Sequence, residues 1–281
     1  MTKRLAFLGP AGTNTEQIAI VHDPDATLLP FPSVPAVAAA VDSGMADEGV
    51  VAIENSLEGS VTSNLDLLIH ESNLFIRHEL VLPIQHLLLS KPGTKSEEVR
   101  VVYSHPQALG QCRSYLAKCF PDAQLAASLS TSAAVEEMQS SDVPAAAIAN
   151  QRSAELYGTH ILARHVQDDP NNETRFVVLA REDHPPTGKD KTSICFNFEH
   201  DAAGILYSVM GAFAKRGINL TKIESRPTRE SLGRYIFLVD LEGHREDPVL
   251  KEALDEVKAQ VSLFKVFGSY PMHVSSAVSK S

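Results

Sequence analysis

Asn171-Asn172-Glu173-Thr174-Arg175-Phe176-Val177-Val178-Leu179-Ala180 is the stretch from which the fold can be read. Its first half is polar and offers amides, a hydroxyl and a guanidinium. Its second half is a short apolar run, which predicts a buried strand. A buried strand whose end carries polar side chains is where an open α/β sheet places its chemistry. In an extended strand Thr174 and Phe176 share one face and Arg175 takes the other. Taken alone, the stretch reads first as a loop entering an ordinary strand, with Arg175 in a salt bridge.

The same arrangement recurs upstream. An apolar strand over 3–8 runs into Gly9-Pro10-Ala11-Gly12-Thr13-Asn14-Thr15-Glu16. Thr13 with Glu16 three residues later is a capping box and predicts a helix start. A Gly-rich turn before a helix N-terminus can hold an anion through backbone amides. It lacks the Gly-Lys-Ser/Thr ending of a phosphate loop and the G-x-G-x-x-G of a dinucleotide site. Strands at 27–31 and 49–53 follow, with a helix over 35–41 between them, and the second strand ends in Glu54-Asn55-Ser56-Leu57-Glu58-Gly59. After an extended stretch over 73–89, a strand at 99–103 leads into Ser104-His105-Pro106-Gln107, read as a second capping box from Ser104 to Gln107. Ala108, Cys112, Leu116 and Cys119 form the apolar stripe of the helix it opens, and Gln111 lies on a more polar face. Further strands at 124–127, 145–149 and 161–163 alternate with helices. This pattern predicts a mostly parallel α/β sheet.

A polar, Pro/Gly-containing linker over 182–190 precedes a different pattern. Residues 191–272 read β-α-β-β-α-β, a ferredoxin-like split unit. The tail, 273–281, is expected to fray. Such a unit has exposed edges that pair between chains, so a homo-oligomer, dimer or tetramer, is expected, formed partly through this domain.

Composition narrows the function. Of the formal net charge of -10, residues 1–189 carry all, with 13 Lys/Arg against 23 Asp/Glu, and no Lys or Arg stands between Arg4 and Arg77. A nucleic-acid partner needs a cationic surface and is not expected. No run approaches the roughly 20 apolar residues of a membrane span, and the N-terminal apolar run is too short for a signal peptide. Cys112, Cys119 and Cys195 show neither metal spacing nor an even-numbered framework. The chain reads as soluble and cytoplasmic, with no metal and no cofactor.

Together, Gly9-Pro10-Ala11-Gly12-Thr13, Glu54-Asn55-Ser56 with Gly59 and Val61, Ser104-His105-Pro106-Gln107-Ala108-Leu109 with Gln111-Cys112, and Asn171-Asn172 with Thr174-Arg175-Phe176 resemble prephenate dehydratase, in that family's order. Glu224-Ser225-Arg226-Pro227 resembles the ACT regulatory domain that follows it. The resemblance covers nearly the whole chain. It implies a catalytic region over 1–181 built as two lobes like a type II periplasmic binding protein, roughly 1–77 plus 165–181, and 78–164. It implies conversion of prephenate to phenylpyruvate, carbon dioxide and water in L-phenylalanine biosynthesis, a hydro-lyase reaction needing no cofactor, with L-phenylalanine as effector. The site residues it implies are Thr174, Asn55, Ser104, Gln111, Phe176 and Arg175 for catalysis, and Thr13, Gly12, Ser56 and His105 for substrate binding. For the effector they are Gly204, Ile205, Leu206, Asn219, Leu220, Glu224, Ser225, Arg226 and Pro227. The family's Gly-Ala-Leu-Val motif here reads Gly204-Ile205-Leu206-Tyr207, with two bulkier residues. Given so few cations, the substrate carboxylates are expected on helix N-termini and on Thr13, Asn55, Ser104 and Gln111. The same motifs fit arogenate, the amino counterpart of prephenate. A non-catalytic small-molecule binding protein or amino-acid sensor is the reading from another class.

Overall fold

The computed structural model describes residues 2–200, 202–228 and 233–273. The chain first lays down β1 (Arg4–Leu8), α1 (Asn14–His22), β2 (Thr27–Phe31), α2 (Val34–Asp42), β3 (Glu48–Asn55), the short β4 (Gly59–Ser60), α3 (Thr62–Asp66) and β5 (Phe75–Pro83). It then builds a second lobe from β6 (Leu87–Ser90), β7 (Val101–Ser104), α4 (Pro106–Gln111), α5 (Arg113–Cys119), β8 (Gln124–Ala127), α6 (Thr131–Ser140), β9 (Ala145–Ala149), α7 (Gln151–Tyr157) and β10 (His160–Arg164). It returns to the first lobe as β11 (Glu173–Ala180). The first sheet has the order β2-β1-β3-β11-β5 and the second β10-β6-β9-β7-β8. In the first sheet β1, β2, β3 and β5 run one way and β11, between β3 and β5, runs against them; in the second β7, β8, β9 and β10 run one way and β6, between β9 and β10, runs against them.

Two sequence readings need correction. All of β5 pairs with β11, from Phe75 opposite Ala180 to Pro83 opposite Glu173. The first lobe therefore extends through Pro83, not to residue 77, because hydrogen bonding to β11 outlasts any composition change near that point. The helix expected to carry one stripe from Ala108 to Cys119 breaks between Gln111 and Arg113, where Cys112 has φ -115° and ψ 16°. Ala108, Cys112 and Leu116 stay buried, while Cys119 falls on the exposed side.

The C-terminal domain consists of β12 (Asp190–Asn197), α8 (Ile205–Ala214), β13 (Leu220–Pro227), β14 (Tyr235–Glu242), α9 (Pro248–Lys258) and β15 (Leu263–Pro271), in the sheet order β13-β14-β12-β15. This is the expected β-α-β-β-α-β unit. Val209, Phe213, Leu250 and Val257 from its helices cover one face of the sheet, against Ile194, Phe196 and Val239. The other face carries Cys195, Ile236, Leu238, Phe267 and Tyr270 into the same core as Leu65, Leu68, Ile76 and Val177 of the first lobe. The sheet is thus buried on both sides, and the domain forms a further layer on the first lobe. Residues 274–281 of the expected tail lie outside the described residues.

Candidate active site

The four polar strand ends, after β1, β3 and β7 and at the start of β11, meet where the lobes face each other. A cleft of about 490 Å³ lies between them. β3 delivers Asn55, and β11 delivers Thr174 and Phe176. The start of α1 brings Thr13 and Asn14, and the start of α6 brings Ser130 and Thr131. Thr13 and Ser130 are N-caps whose hydroxyls accept the amides of Glu16 and Ala133. One helix N-terminus from each lobe, with its positive dipole end, therefore faces the cleft. No Lys or Arg is among the described residues that line it, and Glu58 is its one carboxylate.

Asn55 organises the floor. Its Oδ1 accepts the amides of Leu57 (3.0 Å) and Glu58 (3.1 Å), which fixes the amide orientation and turns Nδ2 toward β11. Nδ2 then donates to Asn172 Oδ1 (2.7 Å), the Glu173 carbonyl (3.1 Å) and Thr174 Oγ1 (3.0 Å). Because Thr174 Oγ1 is an acceptor in that bond, its own hydrogen is free to point into the cleft. Asn172 passes the chain on, with Nδ2 donating to Gln111 Oε1 at 3.0 Å. His86 Nε2 sits 2.9 Å from the same oxygen. That oxygen can only accept, so His86 carries its hydrogen on Nε2. Burial pushes the His86 pKa down, against the opposing pull of the Gln111 bond. Gln111 Nε2 completes the path to Glu58 Oε1 at 3.3 Å.

Of the residues read from sequence, Thr174, Asn55, Gln111, Phe176, Thr13 and His105 line the cleft. Four others do not. Ser104 is fully buried and donates to the Ile148 carbonyl at 2.7 Å, tying β7 to β9. The cap one residue later is His105, whose Nδ1 accepts the Gln107 amide, so the Ser104–Gln107 capping box does not form. Gly12 has φ +85°, and a Cβ there would lie 2.8 Å from Ser132 Oγ and 3.0 Å from Ser153 Oγ. Its amide donates to Glu16, and its carbonyl accepts from Ser153. Gly12 is where the lobes press together, and it is not among the residues lining the cleft. Ser56 staples the Asn171–Glu173 segment to the end of β3. Arg175 leaves the cleft altogether, for the face covered by the C-terminal domain. His86, Asn172, Glu58, Ser130 and Thr131 were missed. His86 sits inside an apolar stretch with no motif around it.

In the C-terminal domain a second cavity, of about 700 Å³, is lined by Gly204, Ile205, Leu206 and Tyr207 together with Phe198 and Phe237. Glu224 and Arg226 point away from it. They reach Ser60 (2.5 Å) and Asp66 (2.8 Å) of the first lobe. Ser225 and Pro227 are exposed on the opposite side of β13, and Asn219 and Leu220 lie at its start. Among the described residues, one group offers metal-ligand geometry, His22, Glu48 and His78, with donor atoms within 4.8 Å of one another. It stands at the start of β3, the end away from the cleft, and Lys3 already lies 3.1 Å from Glu48.

A family model described as prephenate dehydratase matches residues 5–184, and one described as ACT domain matches residues 200–259. The chain belongs to the prephenate dehydratase family. Among its relatives is the bifunctional chorismate mutase/prephenate dehydratase of Aquifex aeolicus, 44% identical over 95% of this chain and 73% of that protein. The prephenate dehydratase of Lactococcus lactis is 36% identical over 96% of this chain and 98% of that one. The crystal structure of prephenate dehydratase in complex with L-Phe from Arthrobacter aurescens superposes with a TM-score of 0.88, at 34% identity over 96% of this chain and 90% of that chain. The family places the protein among the lyases, with an ACT domain behind the catalytic region.

Proposed function

We propose that the cleft turns prephenate into phenylpyruvate, carbon dioxide and water, and that Thr174 acts at the departing hydroxyl. The observation that carries this is the direction of the Asn55–Thr174 bond, which leaves the threonine hydrogen for the cleft. Prephenate loses carbon dioxide from one ring carbon and hydroxide from the opposite one. The electron pair of the breaking C–C bond becomes part of the aromatic ring as the C–O bond opens. Aromatisation drives the step, so the protein need only hold the dianion, align the leaving carboxylate and stabilise charge on the departing oxygen. An alcohol is too weak an acid to give up its proton at neutral pH. Thr174 is therefore a hydrogen-bond donor to that oxygen, and solvent supplies the net proton. The N-termini of α1 and α6, with Thr13 and Thr131, take the two carboxylates in place of Lys or Arg. Phe176, buried beside Thr174 in β11, gives the ring an apolar wall.

The same reading assigns L-phenylalanine to the cavity at Gly204–Tyr207 as effector. It assigns a homo-oligomer formed partly through the exposed edge strand β13, whose Ile223 is 52% exposed. A cytoplasmic location is proposed on three cysteines that are all free.

Thr174→Ala tests the central assignment. Phenylpyruvate formation is expected to fall at least about a hundredfold, the typical effect of losing one such donor, with thermal unfolding unchanged. A fully active Thr174→Ala enzyme would remove the role from Thr174 and leave the family intact.

A further inference from the structure

Arg175, beside Thr174 in sequence, is drawn to the other side of the sheet by a closed polar cluster. Its Nη1 lies 2.7 Å from Asp240 Oδ2, and its Nη2 donates to Tyr270 Oη at 2.9 Å. Both partners belong to the C-terminal domain. Ser193 closes the ring, with its Oγ 2.5 Å from Asp240 Oδ1 and 2.5 Å from Tyr270 Oη. On the first-lobe side, Arg175 Nε lies 2.9 Å from Glu79 Oε2, off the N–H axis, so this contact is an ion pair and not a hydrogen bond. Lys191 holds both oxygens of Glu79 at 2.8 Å. Arg175 Nη1 also lies 3.5 Å from Glu54 of the first lobe, which Lys222 of the C-terminal domain meets at 3.1 Å, so Arg175, Lys191 and Lys222 stand against Glu54, Glu79 and Asp240 around a fully buried Tyr270.

The cluster is an odd choice for stability alone. Val177 and Leu179 follow Arg175 on the same face of β11, are fully buried, and pack in an apolar core. A hydrophobic residue at 175 would continue that row, and buried ion pairs are often replaceable by apolar side chains without loss. What the guanidinium adds is direction. β11 changes register against β3 between Arg175 and Phe176. The extra residue there is Ile53 on β3, while β11 keeps unbroken register with β5 from Glu173 to Val178, so the segment bearing Thr174 meets β3 at a bulge. On the cleft side it is fixed by Asn55, and on the far side by the fork of Arg175.

We propose that Arg175 is a positioning residue which makes the placement of the Thr174 hydroxyl depend on how the C-terminal domain is seated. The proposal rests on the reading of Thr174 as donor in the cleft. Asp240, Ser193 and Tyr270 are then long-range determinants of turnover, although none lines the cleft. A shift of their sheet pulls on Arg175, and so on the next residue along the strand.

The test is a double-mutant cycle in the full-length protein. Tyr270→Phe and Asp240→Asn keep shape; the first removes one partner of Arg175 and the second removes the charge of another. Each is expected to lower kcat on prephenate about ten- to a hundredfold, the cost of a small misplacement, with KM within about twofold. In a Thr174→Ala background the same changes should cost nothing further, because there is no hydroxyl left to misplace. If Tyr270→Phe reduces folding, Ser193→Ala gives the same reading. Full activity in both single variants overturns the proposal, and so does an equal loss with and without Thr174. If Thr174→Ala itself retains full activity, the assignment of Thr174 fails first, which separates the two ideas.

Discussion

Glu58 is the residue on which substrate choice turns. It is exposed at the cleft mouth, the one carboxylate in a lining without Lys or Arg, and holds Gln111 at 3.3 Å. Prephenate brings two carboxylates toward it, whereas arogenate brings an ammonium group as well. A charge pair at about 4 Å in water is worth about 1 kcal/mol, roughly fivefold in affinity. Glu58→Gln should therefore lower KM for prephenate a few fold and raise KM for arogenate by a similar factor. Steady-state kinetics with both substrates measure this, and parallel changes would remove Glu58 from the specificity account. Residues at this scale were legible where polar groups cluster at strand ends, as with Thr174, Asn55 and Thr13, or stand on the polar face of a helix, as with Gln111. Strand alternation by itself also turns Arg175 to the face opposite Thr174. What covers that far face is a contact made 65 and 95 residues later, to Asp240 and Tyr270, and no local pattern carries it. Ser104 failed for a smaller reason: the cap formed one residue on, at His105, leaving the serine inside the sheet.

At the scale of elements, the ends of α1, β1, β3 and β5 away from the cleft gather His22, Lys3, Glu48, Arg77 and His78. The ring of His184, from the segment leading to the C-terminal domain, packs on His78 with centroids 5.0 Å apart. Burial, reinforced by His22, pushes the His78 pKa down from 6.5 to about 4, against the pull of Glu48. For Glu48, burial works upward, but hydrogen bonds from His22 and Lys3 outweigh it and hold the carboxyl at about 2 instead of 4.5. Both folded-state values lie below the ordinary ones. Each group therefore contributes stability that is complete above its ordinary pKa and is lost as pH falls toward the folded value. Acid should weaken the fold in two stages, from 6.5 toward 4 through His78 and from 4.5 toward 2 through Glu48. Urea midpoints measured between neutral pH and the upper end of the second stage check this. His78→Gln should flatten the first stage, and a slope unchanged by that substitution would show that His78 does not cause it. The alternation of strands and helices was readable here because each element is short, bounded and one-sided. The lobe boundary was not, since β5 owes its place to pairing with β11 almost a hundred residues later.

For the whole molecule, the decisive joint is the one between the first lobe and the C-terminal sheet. β15 crosses β5 so closely at Gly268 that a Cβ there would lie 2.2 Å from the Ile76 carbonyl oxygen and 2.9 Å from its amide nitrogen. Both neighbours are backbone, so neither can rotate aside, and relief requires the sheets to separate. Separation is costly because Phe267 and Tyr270, on either side of Gly268, are buried in the core shared with Leu68 and Ile76. Lys265 reinforces the joint by donating to the Leu68 carbonyl at 2.6 Å and the Ser72 carbonyl at 2.6 Å. Gly268→Ala should therefore lower stability by about 1–3 kcal/mol, the usual cost of overpacking a close contact. It should also make the connection over 182–189 more open to proteolysis, because Arg77 and His244 grip that segment from opposite sides of the joint. If the Arg175 cluster transmits the seating of the domain, the same substitution lowers kcat while each domain keeps its own secondary structure. Thermal unfolding, limited proteolysis and phenylpyruvate formation, measured on one preparation, read the three effects together. A Gly268→Ala protein with the parent's unfolding temperature and turnover would mean that the two sheets can slide apart freely, and that the joint does not govern the cleft.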